Sequence, residues 1–166
     1  SDLYAALLQR SILPDRQLSE RFGADHFVLW QPRDTVGGDY YVFHDDGNRC
    51  LAGVADCAGH GVPGAMMTML ARAGIDRYIQ QVGIGSPAAV LQATNDGMNL
   101  VLSEAQLSRA LATSMDVGLV LLDFEKQILR FAGAKISLYW SDGERVDVVK
   151  GDPRSLWDRR SGVYHD

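Results

Sequence analysis

The sequence predicts an α+β fold for the 166 residues, with two antiparallel sheets flanked by helices. Three observations predict it. Two runs of strand composition flank the turn signal Asp45-Asp46-Gly47-Asn48, as in a β-hairpin. Two long stretches of helical spacing follow, over residues 63–103. The chain then returns to short strand-like runs over residues 115–149, and long helices between strand groups suit sheets faced by helices.

Taken in order, LYAALLQRSIL (residues 3–13) sets Leu3, Leu7, Leu8 and Ile12 at helical spacing, and Pro14 ends the pattern. This helix reads either as docked on the domain's own core or as the end of a longer signalling helix with a stripe for a partner. HFVLWQ (residues 26–31) reads as a strand leading into Pro32. In the first hairpin strand, Tyr40, Val42 and His44 share one face; Asp39, Tyr41, Phe43 and Asp45 share the other. His44, near the turn, reads as exposed. With Gly47 and Asn48 as the loop, Asp39 faces Asp56. With Asp46-Gly47 as the loop, the two acids become diagonal neighbours on the same face, and a three-residue loop breaks the parity.

Cys57-Ala58-Gly59-His60-Gly61-Val62-Pro63-Gly64 leaves the strand and enters a helix, with Pro63 in its first turn. That helix spans 63–81 and ends before Gly83. Met66, Met69, Leu70, Ala73 and Ile79 form its apolar stripe, whose usual meaning is core filling, although methionine-rich faces also serve as binding surfaces. Ser86-Pro87 opens the next helix as cap and first position. It runs through Ala89, Val90, Ala93, Met98 and Val101 to Ser103, with Gly97 weakening it by about 1 kcal/mol relative to alanine. Residues 104–112 read as a short helix or a loop. MDVGLVLLDF, QILRFAGA, ISLYWS and ERVDVVK are four strands, with Asp142-Gly143 a hairpin turn between the last two. The final stretch, from Gly151, is polar and rich in arginine.

Bulk properties narrow the function. One domain with room for a core fits the length. A net charge of −5 without a basic cluster argues against nucleic acid as a partner. No apolar run reaches membrane-spanning length and the start lacks a signal peptide, so the expectation is a cytoplasmic domain, compatible with membrane anchoring of a longer protein. Cys50 and Cys57 fall on opposite faces of one strand, which disfavours a disulfide and leaves two buried thiols.

The chemistry centres on the paired acids. Two carboxylates about 5 Å apart repel unless one takes a proton or a cation binds between them. Hard oxygen ligands suit Mg²⁺, Mn²⁺ or Ca²⁺. Gly59 and Gly61 permit close approach of a ligand, and the helix start behind them favours an anion such as phosphate. Arg33, six residues before Asp39, reads as a phosphate-binding guanidinium or as a solvated loop arginine. Asp34 reads as a loop residue. Asp116 reads as an acid at the edge of the metal centre or as a hydrogen-bonded structural residue. The GHGVPG stretch lacks the Gly-Lys-Ser/Thr ending of a P-loop, which counts against a nucleotide site.

Pro32-Arg33-Asp34-Thr35-Val36-Gly37-Gly38-Asp39-Tyr40-Tyr41, with Val54-Ala55-Asp56-Cys57-Ala58-Gly59-His60-Gly61-Val62-Pro63, resembles the SpoIIE/RsbU branch of the PPM-type, metal-dependent serine/threonine phosphatases. Gln9 to Pro14, Met115 to Leu119, Phe131 to Ala134 and Val149 to Asp152 look like further landmarks of that branch. The resemblance implies a β-sandwich of two antiparallel sheets flanked by helices, incomplete in this segment, with a leading, regulatory helix over 1–14 and the N-terminal and central part of a phosphatase domain over 15–166. It implies hydrolysis of phosphoserine or phosphothreonine on a regulatory protein, such as an anti-sigma-factor antagonist of STAS type, in bacterial signalling. Two Mn²⁺ or Mg²⁺ ions would activate a water, with Asp56 bridging, Asp39 on one metal and the backbone carbonyl of Cys57 on the other. His60 would pack against the helix start or donate to a leaving oxygen. The family's later aspartates are absent, and Ser141-Asp142-Gly143 is not assigned to them, so this segment alone is expected to bind metal weakly and to be inactive. An upstream sensor domain and a homodimer through the N-terminal helix are further expectations. The rival reading is a non-catalytic phosphatase-like module for partner binding or dimerisation.

Overall fold

The computed structural model describes residues 1–104, 114–158 and 163–166. In chain order its elements are α1 (Asp2–Ser11), α2 (Asp15–Phe22), β1 (Asp39–Asp45), β2 (Arg49–Cys57), α3 (Gly61–Val82), α4 (Pro87–Glu104), β3 (Met115–Asp123), β4 (Ile128–Ala134), β5 (Leu138–Ser141) and β6 (Val146–Val149). β1 to β4 form an antiparallel sheet in sequence order, and β5–β6 form a second, two-stranded one. The mixed α+β fold with two antiparallel sheets is as the sequence predicts, and so are the four strands of its second half.

Strand alternation divides the core into two clusters. Tyr40, Leu51, Cys57, Val117 and Leu119 pack one face of the larger sheet against α3 and α4, through Ile75, Ile79, Val90 and Leu91. On the opposite face Tyr41, Phe43 and Cys50 pack beneath Leu18 and Phe22 of α2. The two cysteines therefore lie on opposite faces of β2, both free and buried. α4 starts as expected: the Ser86 hydroxyl oxygen accepts the Ala89 N–H at 3.1 Å.

Several expectations are corrected. Most of the α3 stripe faces outward: Met66 is 69% exposed, and Met69, Leu70 and Ala73 are exposed with it, whereas Ile79 is buried as expected. The residues turned inward are Gly64, Thr68, Ala71, Gly74, Ile75, Tyr78 and Ile79, and their small members let the helix approach its neighbours closely. α1 likewise turns Leu3, Tyr4, Leu7 and Leu8 to solvent and buries Gln9, whose amide donates to the Gly37 carbonyl (2.6 Å) and to Thr68 Oγ1 (3.2 Å). A second helix, α2, follows Pro14 directly; its Leu18 and Phe22, one turn apart, were the available signal. Residues 26–31 join no strand ladder, because no neighbouring strand pairs with them among the described residues, and Phe27 is 90% exposed. His44 is half-buried and held by Asp76 at 3.0 Å. Apart from Glu104, which ends α4, residues 104–112 lie outside the described residues.

Candidate metal centre

The hairpin turn sets the site. Asp46 N–H donates to the Arg49 carbonyl (3.0 Å) and Arg49 N–H to Asp46 Oδ1 (2.8 Å). Gly47 and Asn48 remain as the loop, and Gly47 takes a left-handed φ of +97°, which glycine adopts at little cost. This loop fixes the register in which Asp39 pairs with Asp56. The β2–β3 register then sets Asp116 opposite Asp56. Three aspartates so form a row across β1, β2 and β3 on one face of the sheet, with directly opposed side chains about 5 Å apart.

The backbone behind the row is tightly folded. A Cβ on Gly38 would fall 2.4 Å from the Cys57 carbonyl oxygen and 2.9 Å from that of Gly59. Only glycine lets the start of β1 lie against this loop. The Gly38 carbonyl accepts the Cys57 N–H at 2.8 Å, and α3 begins just beyond, at Gly61. His60 is the N-cap residue of α3; its exposed ring pairs through Nδ1 with Asp34 Oδ2 at 3.1 Å. Arg33, next to Asp34, is exposed and makes no hydrogen bond or ion pair among the described residues. Asp142 belongs to the β5–β6 turn, where it accepts the Glu144 and Arg145 N–H groups.

A hollow of about 310 Å³ lies over Asp39 and Asp56, walled by Leu29, Trp30, Tyr41 and Ile136. Trp30 was not singled out by the sequence, yet its indole N–H donates to the Asp39 carbonyl at 3.0 Å. The Tyr41 hydroxyl donates to Asp15 of α2.

Electrostatics mark the same place. Asp56 is pushed up to about 6, first by burial, then by the Asp39 charge and a hydrogen bond with Asp39, and then by Asp116. Burial, followed by the Asp56 and Asp39 charges, pushes the Cys57 thiol up to about 12, so it stays protonated at neutral pH and is a poor metal ligand. Among the described residues no three His, Cys, Asp or Glu side chains close on one point. The donor set is nonetheless the hard, anionic one that Mg²⁺ or Mn²⁺ prefers, and Mg²⁺ commonly keeps several waters while bound by one or two carboxylates. The residues present fit such a cation.

An α+β domain with opposed aspartates before a glycine-bounded helix start is the class of a metal-dependent phosphatase domain. The Stage II sporulation protein E (SpoIIE) family model matches residues 46–156, and the chain belongs to this family of PP2C-type phosphatase domains of bacterial signalling. Among solved structures it is similar to the SiaA-PP2C domain of Pseudomonas aeruginosa, with 56% identity and a TM-score of 0.91 over 99% of this chain and 63% of that one. The chain thus spans less than two thirds of that relative. The fold is shared with the PP2C phosphatase domain of SpoIIE from Bacillus subtilis (14% identity, TM-score 0.62, covering 78% of this chain and 36% of that one). It is shared too with RsbX solved in complex with magnesium (13% identity, TM-score 0.59, covering 84% of this chain and 63% of that one). No curated protein sequence matches the chain.

Proposed function

We propose that this chain is the N-terminal and central part, over residues 15–166, of a serine/threonine protein phosphatase domain, with residues 1–14 as its regulatory helix. The observation that carries the reading is the direct opposition of Asp39 and Asp56 beside the glycine-bounded start of α3. Asp39, Asp56 and the backbone carbonyl of Cys57 would hold two divalent cations, Mn²⁺ or Mg²⁺. When bound, such cations supply Lewis acidity toward the phosphoryl oxygens and acidify water. The chain's own residues do the rest. Asp56 gives up its proton and serves as a ligand together with Asp39, Trp30 fixes the backbone of Asp39, and Arg33 pairs with the phosphate oxygens. Water adds to phosphorus, the bond from phosphorus to the serine or threonine oxygen breaks, and the alcohol leaves with a proton as inorganic phosphate forms.

The substrate in this reading is a phosphorylated regulatory protein, such as an anti-sigma-factor antagonist of STAS type, and the setting is cytoplasmic. No described helix is long and apolar enough to cross a membrane. The outward stripe of α1 favours a homodimer through that helix or an upstream sensor domain continuing it. The same stripe supports the second reading, a non-catalytic module for partner binding.

Hydrolysis of para-nitrophenyl phosphate with Mn²⁺ or Mg²⁺, on this chain and on a longer one, tests the reading. The longer protein is expected to turn over only with metal. Asp39→Asn and Asp56→Asn should each lower its rate at least about a hundredfold, because several kcal/mol of Lewis-acid stabilisation is lost and 1.36 kcal/mol is a factor of ten. Near-normal rates in either variant would defeat the assignment.

A further inference from the structure

We propose that Asp116 is a third carboxylate of the cation site, acting on the cation's outer shell, and that Ser155 is the residue that positions it. The proposal rests on the reading of Asp39 and Asp56 as ligands. Asp116 stands directly across from Asp56 on β3, on the face that carries both other acids. A third negative charge beside two that already repel destabilises the metal-free protein, and no described cation forms an ion pair with Asp116 to offset it. A bound cation does offset it. Among the described residues no three acidic side chains close on one point, and in this proposal Asp116 accordingly reaches the cation through water.

Ser155 is built to hold that carboxylate. Its hydroxyl donates to Asp116 Oδ1, and the residue is 5% exposed. The backbone on its C-terminal side is pinned by a reciprocal pair, Leu156 N–H to the Met115 carbonyl (2.8 Å) and Met115 N–H to the Leu156 carbonyl (3.1 Å). The Ser155 carbonyl itself accepts the Tyr164 hydroxyl at 2.9 Å. One oxygen of Asp116 is thereby fixed, and the other keeps its lone pairs for a metal-bound water's proton.

Calorimetric titration of the full chain with Mn²⁺ alone tests this. Asp116→Asn should weaken binding about tenfold, the lower end for partners in a metal's outer shell. Ser155→Ala leaves the charge in place and frees its orientation; it should weaken binding severalfold, and Ser155→Thr, which keeps the hydroxyl, should restore it. Melting curves without metal establish that each variant is folded, and if Asp116→Asn does not fold, the two Ser155 variants carry the test. Wild-type affinity in Asp116→Asn overturns the proposal. Unchanged binding in Ser155→Ala, or no rescue by threonine, overturns the part given to Ser155. Unchanged binding in Asp39→Asn and Asp56→Asn defeats the cation site itself, and this proposal with it.

Discussion

Asp56 is held toward its protonated form, pushed up to about 6 from an unfolded value near 3.8, chiefly by burial and then by Asp39. A raised carboxyl stabilises the fold when protonated. Its contribution is fully present below the unfolded value and is lost as pH rises through about 6. Chelator-treated protein should therefore lose melting temperature across that window, and Asp56→Asn should flatten that part of the profile. Mn²⁺ favours the ionised acid, so its affinity should rise over the same window as the bound proton is released. Melting curves with and without Mn²⁺ check both signs; matching profiles for wild type and Asp56→Asn would show the shift to be absent. The opposition of Asp39 and Asp56 was legible in the sequence because a two-residue loop fixes a hairpin's register locally. The sequence leaves Asp116 between two readings and does not single out Ser155 or Trp30, since their places depend on pairings between distant segments that no local pattern encodes.

At the scale of elements, glycine positions separate helix propensity from packing. Gly97 weakens α4 as an isolated helix, and alanine there would gain about 1 kcal/mol. In the fold, a Cβ on Gly97 would lie 1.8 Å from the Tyr78 hydroxyl and 2.0 Å from its Cζ. Tyr78 is buried in the α3–α4 contact, and overpacking such a site costs about 1–3 kcal/mol or more. Gly97→Ala should thus be net destabilising, by up to about 2 kcal/mol in denaturant titration after the propensity gain is subtracted; a stabilised variant would contradict the packing. Gly38→Ala should act on the site instead. Its Cβ meets the Cys57 carbonyl, which is backbone and cannot swing aside. Mn²⁺ affinity should fall, with a loss of stability, in the same calorimetric and melting measurements. The reversed stripe of α3 has the same origin. Periodicity marks the large apolar residues, whereas close helix packing selects the small ones. Residues 26–31 have strand composition, but a strand also needs a partner edge, which composition does not report.

At the scale of the molecule, apolar surface is the main departure from an ordinary soluble domain. The larger sheet has α3 and α4 on one face, whereas the other keeps a hollow of about 420 Å³ lined by Leu18, Phe22, Phe27, Leu29, Phe131 and Leu138. Exposed apolar patches of this kind on a folded domain mark surfaces meant to be covered, by further chain or by a partner. The hollow adjoins the one over Asp39 and Asp56, with Val28, Leu29, Tyr41, Val54 and Ile136 lining both, so whatever covers it also narrows access to the acids. This chain is therefore expected to bind the dye 8-anilinonaphthalene-1-sulfonate in its native state. Phe27 is 90% exposed and Leu29 77%, so truncating them removes little packing. Phe27→Ser with Leu29→Ser should lower the dye's fluorescence while changing stability by no more than about 0.5 kcal/mol per site. Dye binding that survives both changes would move the open surface elsewhere, to the stripe of Leu3, Tyr4, Leu7 and Leu8 on α1. No dye binding at all would mean that the sheet face is already covered in solution. In that case the hollow over the acids would be enclosed too, and Mn²⁺ should enter this chain slowly rather than at the diffusion-limited rate of an open site.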